Sequence, residues 1–232
     1  VEIHTVTSGR RDEHTRSLSG RGPDLERLRA AVGEFAGYTA ADRSWERLLL
    51  ATGPRIDPAL PAHRRALLAW LNAWGCRIRY PRDGEHDVFC AEADAWWARW
   101  GERLPGRDAV LAGLTDTEID LLGDCYADLS AMPAAPGARP RSLGSTAATK
   151  MLHALRPRAL MPWDAAIADA LHGARTADAY RAHLRLGRRW ARRLLAESDL
   201  GEEALAVELG RPGRPLAKML DDYCYLEFTA GT

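Results

Sequence analysis

Residues 141–173 read RSLGSTAATKMLHALRPRALMPWDAAIADALHG. The stretch holds two helical signals, at about 143–155 and 163–172, separated by Arg156-Pro157 and a short loop. Proline cannot continue the first helix, and Asp164 can cap the second through its side-chain oxygen. The return brings Pro162-Trp163-Asp164 to a helix mouth, with Lys150 fourteen residues before Asp164 on the neighbouring helix. A lysine and a carboxylate on adjacent helices joined by a tight return can face one cleft. Ser142, Ser145 and Thr146 stand before or at the start of the first helix. There, unpaired N–H groups and hydroxyls can hold an anion.

Outward from this stretch nearly everything from Pro23 onward is written at helical period. Asp24 can cap a helix carrying Leu25, Leu28, Val32 and Phe35, closed by Gly37. Trp45, Leu48, Leu49 and Thr52 mark a second, ended by Gly53-Pro54. A third follows Pro58, with Leu67, Leu68, Leu71 and Trp74 on one face and Gly75 as its stop. Helical periodicity resumes from Val88 to Leu104, where Trp96, Trp97 and Trp100 cluster. A capping box, Thr115-x-x-Glu118, opens a helix with Ile119, Leu122, Tyr126 and Leu129. Further helices are predicted at about 176–197, 202–209 and 215–227. The fold class expected is all-α, with about ten helices.

Two stretches break the pattern. Residues 76–89 (CRIRYPRDGEHDVF) favour extended or turn structure because Pro81 and Asp83-Gly84 punctuate them. Residues 223–229 (YCYLEFT) have strand-like composition but room for only a short element. Residues 1–22, rich in Arg, Ser, Gly and Thr, read as a loose lead-in. Residues 132–142 (MPAAPGARPRS) read as a linker, with three prolines and a glycine in eleven residues. The organisation expected is a lead-in at 1–22, a helical region at 23–132 and a second at 133–232, packed around one cleft.

The length of 232 residues suits one large domain or two small ones. Hydrophobic residues at 46% and charged residues at 28% make the composition globular. Thirty-two Lys+Arg balance thirty-two Asp+Glu, which excludes a uniformly basic histone-like binder. No apolar run approaches the roughly 18–20 residues of a membrane span, and no charged segment leads into an apolar one at the start. A soluble, cytoplasmic protein is expected. The scattered cysteines Cys76, Cys90, Cys125 and Cys224 lack a CxxC pair, so they suggest small buried hydrophobes in a reducing compartment. No metal or other cofactor is expected.

Charge is nonetheless uneven. Residues 108–128 carry Asp108, Asp116, Glu118, Asp120, Asp124 and Asp128 with no Lys or Arg, whereas residues 139–193 hold twelve Lys or Arg against three Asp. A neutral chain with a basic half can bind a polyanion on one side. Arg181, Arg185, Arg188 and Arg192 share one stripe of the 176–197 helix. Such a stripe is either a solvated amphipathic face or a surface that tracks phosphates.

The Lys150 and Pro162-Trp163-Asp164 pattern resembles the helix-hairpin-helix DNA glycosylases, the eight-oxoguanine glycosylase branch in particular. The resemblance covers about residues 139–173. In that superfamily a hairpin precedes a helix bearing a lysine, and a Pro-x-Asp loop supplies the catalytic aspartate. The resemblance therefore implies catalytic roles for Asp164 and Lys150 and double-stranded DNA with a flipped base as partner. Two departures mark a divergent member: the hairpin is reduced to Leu143-Gly144-Ser145, and the Lys–Asp spacing is short. Divergent members include anti-phage enzymes that excise hypermodified cytosine, so a defence role stands beside ordinary repair. The cysteine cluster that binds iron–sulfur in some members is missing.

The residue types suit that chemistry. Breaking an N-glycosidic bond develops positive charge on the sugar, which a nearby carboxylate stabilises, and a neutral lysine can attack the sugar carbon. A flipped base needs aromatic walls, for which Trp163, Trp70 and Trp74 are candidates, with Asn72 and His153 beside them. Arg139, Arg141, Arg156 and Arg158 are expected at phosphates together with Ser142, Ser145 and Thr146. Each residue also has a plainer reading: Asp164 as a cap, Lys150 as a solvated amine, His153 as structural, Asn72 as an exposed helix position and the tryptophans as core. A catalytically silent nucleic-acid-binding module and an N-glycosidase of small nucleosides are the rival functions.

Overall fold

The structure is a computed structural model that describes residues 22–135 and 141–230. The lead-in at 1–22, apart from Gly22, and Arg139 within the linker lie outside the described residues. The all-α expectation holds. Ten α-helices, two 3-10 turns and one two-stranded ribbon make up the regular structure of the described residues. The helices are α1 (Leu25–Phe35), α2 (Thr39–Thr52), α3 (Pro61–Ala73), α4 (Val88–Trp100) and α5 (Asp116–Ala131). They continue as α6 (Ser145–Leu155), α7 (Ala165–His172), α8 (Ala177–Ser198), α9 (Glu202–Glu208) and α10 (Leu216–Phe228).

The caps read from the sequence govern where helices begin. Asp24 accepts from Arg27 N at 2.9 Å, Thr115 and Glu118 form the reciprocal capping box of α5, and Asp164 accepts from Ile167 N at 2.9 Å to start α7. Each satisfies a backbone donor that the first turn would otherwise leave unpaired. Gly173, at φ 64°, ends α7 in the left-handed conformation that glycine adopts without a Cβ clash. The 223–229 segment, strand-like in composition, is instead helical to Phe228, because Tyr223, Cys224 and Phe228 share the buried face of α10. The extended pairing is elsewhere. Pro133–Ala135 (β1) pairs antiparallel with Arg141–Ser142 (β2) at the two ends of the linker.

One hydrophobic core runs from Leu28 to Phe228. Helix α1 packs on α10, α3 on α6, α5 on α6 and α8, and α7 on α8 and α10. The 23–132 and 133–232 regions therefore share a core. No helix among the described residues is long and apolar enough to cross a membrane.

The acidic and basic stretches meet each other. Arg181 pairs with Asp124 at 2.5 Å and with Asp178 at 2.7 Å. Arg185 reaches Asp120 at 2.6 Å, and Arg188 reaches Asp116 at 2.7 Å. Arg192 donates to Ala112 O at 2.7 Å. The stripe on α8 is thus zipped to α5 and the turn before it, and Arg181, Arg185 and Arg188 are each met by a carboxylate of α5. These pairings weigh against the phosphate-tracking reading of that face.

Candidate functional site

The Lys150 amine and the Asp164 carboxylate lie within electrostatic reach of each other, near the ends of α3, α7 and α10. The return between α6 and α7 is stitched twice. Thr149 Oγ1 lies 3.2 Å from Trp163 O and 3.3 Å from Trp163 N. His153 Nδ1–H donates to Leu160 O at 2.7 Å. With both turns tied, the Asp164 carboxylate is held at a fixed distance along the chain from Lys150, one residue beyond Thr149.

The Lys150 amine sits over the Trp74 ring, 4.8 Å from its centroid, and donates to Trp74 O at 3.4 Å. Burial pushes its pKa below the ordinary lysine range. Cys76, Asp221 and Asp164 lie close enough to oppose that shift electrostatically, and Lys218 reinforces it. Asp164 is half-buried. Its Oδ1 is spent on the α7 cap, and its Oδ2 accepts from Thr229 Oγ1 at 2.9 Å. The aspartate is therefore a cap within electrostatic reach of the amine, and Thr229, just past the end of α10, supplies its second hydrogen bond.

Beside this pair lies an ionic cluster that sequence reading missed. Lys218 bonds Asp221 Oδ2 at 2.6 Å and also Asp222. The Asp222 side chain is 1% exposed and pairs with Arg214 at 2.7 Å. Arg214 and Arg211 each reach Asp42 at 2.7 Å. Burial alone would lower the Lys218 pKa, but Asp221 and Asp222 outweigh it and raise it. The Lys218 amine also lies 5.8 Å from the Trp74 centroid, so two lysines attend one indole. The i, i+3, i+4 spacing of Lys218, Asp221 and Asp222 on a helix was the available signal.

Of the expected base-pocket residues, Trp74 alone combines partial exposure with contact to the Lys150 amine. Trp163 is 1% exposed, donates its indole N–H to Ser145 Oγ at 2.9 Å and packs among Tyr126, Tyr180 and His183. That makes it core rather than a pocket wall. Trp70 is buried between Trp45 and Trp74. The indole N–H groups of Trp70 and Trp74 are buried with no acceptor among the described residues. Asn72 uses both ends of its amide on Ile78, accepting from N at 2.7 Å and donating to O at 2.8 Å. It latches the 74–78 turn and has no free edge for a base. His153 is buried against Trp45, and burial lowers its pKa to about 4, so it is neutral near pH 7.

The expected phosphate ligands divide in the same way. Arg141 and Ser142 are exposed on β2, as a surface contact requires. Ser145 is instead absorbed by Trp163 and by the Tyr126 hydroxyl at 3.0 Å. Thr146 is half-buried on the first turn of α6. Arg156 is buried and donates to the carbonyls of Pro105 and Leu155, so it braces the α6 terminus and is not a phosphate contact. Arg158 pairs with Glu203 at 3.3 Å. It lines a cavity of about 280 Å³ with Glu202, Ala206, Val207 and Arg214, a hollow that includes neither Lys150 nor Asp164.

Among the described residues, no three His, Cys, Asp or Glu side chains converge as a metal-holding group. The chemistry available at the junction is that of an amine of lowered basicity, a carboxylate and an indole face. No family model, curated protein or solved structure matches this chain.

Proposed function

We propose that this chain is an N-glycosidic bond hydrolase of the DNA glycosylase class, acting on a damaged or modified base turned out of a duplex. The observation that carries the reading is the Lys150 amine seated on the half-buried Trp74 indole, with the Asp164 carboxylate within electrostatic reach. Burial disfavours the ammonium form of Lys150, which is the requirement for an attacking amine.

In the proposed reaction the bond between C1′ and the base nitrogen breaks, and its electron pair leaves with the base, which takes up a proton. Positive charge on the sugar is stabilised by Asp164. Water then adds to C1′ and loses a proton, leaving an abasic site. In the lyase variant Lys150 Nζ adds to C1′ instead, loses a proton, and ring opening gives a Schiff base. Trp74 offers a π face to the displaced base.

The test is incubation with plain, oxidised, alkylated and glucosylated-cytosine duplexes, with abasic sites as the readout. Release from one of the modified duplexes is expected. No release from any, at micromolar protein, overturns the reading.

A second substrate class is favoured by one observation: α8 spends its arginine stripe on α5. A site with fewer phosphate contacts suits a small nucleoside. Salt separates the two, since duplex cleavage through several phosphates weakens steeply as salt rises and nucleoside cleavage does not.

A further inference from the structure

Lys150 has a carbonyl and an indole for partners, although Asp221 and Asp164 lie within electrostatic reach. A half-buried amine beside a carboxylate ordinarily closes an ion pair with it. Here the carboxylate of Asp221 is already taken at 2.6 Å by Lys218, a second lysine on the same indole. Asp222 is taken too, by Lys218 and Arg214 together.

We propose that Lys218 is a positioning residue for Lys150: by occupying Asp221 and Asp222 it denies Lys150 an ion-pair partner and leaves that amine on the Trp74 ring and carbonyl. This rests on the functional reading above for its use, since an amine that gives up its proton more readily is what the proposed attack requires. The geometry behind it is independent of that reading.

The titratable groups facing Lys150 come from three elements besides its own: the Cys76 thiol from the turn after α3, Asp164 from the mouth of α7, and Asp221 with Lys218 from α10. Lys218, Asp221, Asp222 and Arg214 form a cluster of two cations and two anions. Removing the Lys218 charge leaves it one unit negative. Lys150 is the next cation and would take the vacated carboxylate.

The experiment is carbon-13 NMR of the full chain labelled at lysine Cε, titrated with pH, with the Lys150 resonance identified by its loss in Lys150→Arg. In Lys218→Met the Lys150 midpoint should rise by about one unit, a tenfold tighter hold on the proton. Lys218→Arg, which keeps the charge, should restore it. Asp221→Asn, which keeps Lys218 on Asp222, should lower the midpoint and guards against a Lys218→Met chain that does not fold. An unchanged Lys150 midpoint in folded Lys218→Met or Asp221→Asn overturns the proposal. A shifted midpoint in a protein that releases no base from any duplex supports the positioning and sinks the glycosylase reading alone.

Discussion

Thr149 and Trp163 are joined across the α6–α7 return by one hydroxyl, which lies 3.2 Å from the tryptophan carbonyl and 3.3 Å from its amide nitrogen. Both residues are buried, so no water replaces the hydroxyl if it is lost. This contact sets the distance between the helix that carries Lys150 and the helix mouth that carries Asp164.

Thr149→Val keeps the shape and removes the hydroxyl. Leaving buried backbone groups unpaired costs about 1–3 kcal/mol. The urea midpoint should fall accordingly with an unchanged slope. Activity should fall beyond what the folded fraction explains. A variant with wild-type stability would show that the return is held by other contacts.

The α5–α8 zipper makes a prediction about binding. Arg185 is committed to Asp116 and Asp120, so Arg185→Ala should leave duplex affinity and its salt slope unchanged. Its stability cost should be under about 1 kcal/mol and should shrink with salt, as for exposed ion pairs. Loss of affinity with a shallower slope would mean that the stripe contacts phosphates after all.

Acid should destabilise the fold through two buried histidines. Burial lowers His183 to about 3, with His172 adding to the effect, and lowers His153 to about 4. Both are neutral in the folded protein where the unfolded chain, at about 6.5, already binds protons. Their stabilisation is present above about pH 6.5 and is lost as pH falls towards about 4 for His153 and about 3 for His183, at up to about 1.4 kcal/mol per pH unit for each group. Urea midpoints measured from pH 7.5 to 4.5 should fall, and His183→Asn should flatten the decline. A flat wild-type profile over that window would contradict the assigned burial.

Trp163 and Trp74 should behave oppositely on truncation. Trp163→Ala opens the core between α5, α7 and α8 and should cost about 3–5 kcal/mol. Trp74 is half-buried, so Trp74→Ala should cost less stability while removing the indole under Lys150. Thermal melts and base release, measured on both variants, check the contrast.

What the sequence made legible was local. Helical period and the caps at Asp24, Thr115 and Asp164 depend on residues within one turn, and the helices start where those caps stand. That Lys150 and Asp164 stand within electrostatic reach of each other was also readable, because a short return leaves two helices few ways to pack. What escaped depended on distant partners. Ser145 looked like an anion ligand, yet Trp163 and Tyr126 claim its hydroxyl. Asn72 looked like a base reader until the chain folded back and Ile78 took both ends of its amide. The zipper left a trace: Asp116, Asp120 and Asp124 repeat every four residues, as do Arg181 and Arg185, but only packing could join the two stripes. The 223–229 segment followed its buried helical face and overrode its strand-like composition.

Base release by Asp164→Asn tests the central claim most directly. Asparagine caps helices as well as aspartate does, and the amide nitrogen that replaces Oδ2 can donate to Thr229 Oγ1 where the carboxylate accepted from it, so α7 should persist and the melting temperature should stay close to wild type. Removal of the negative charge should then cut the rate of abasic-site formation on the preferred duplex by about 100-fold or more while duplex binding is retained. A folded Asp164→Asn protein that releases base at the wild-type rate would contradict the account.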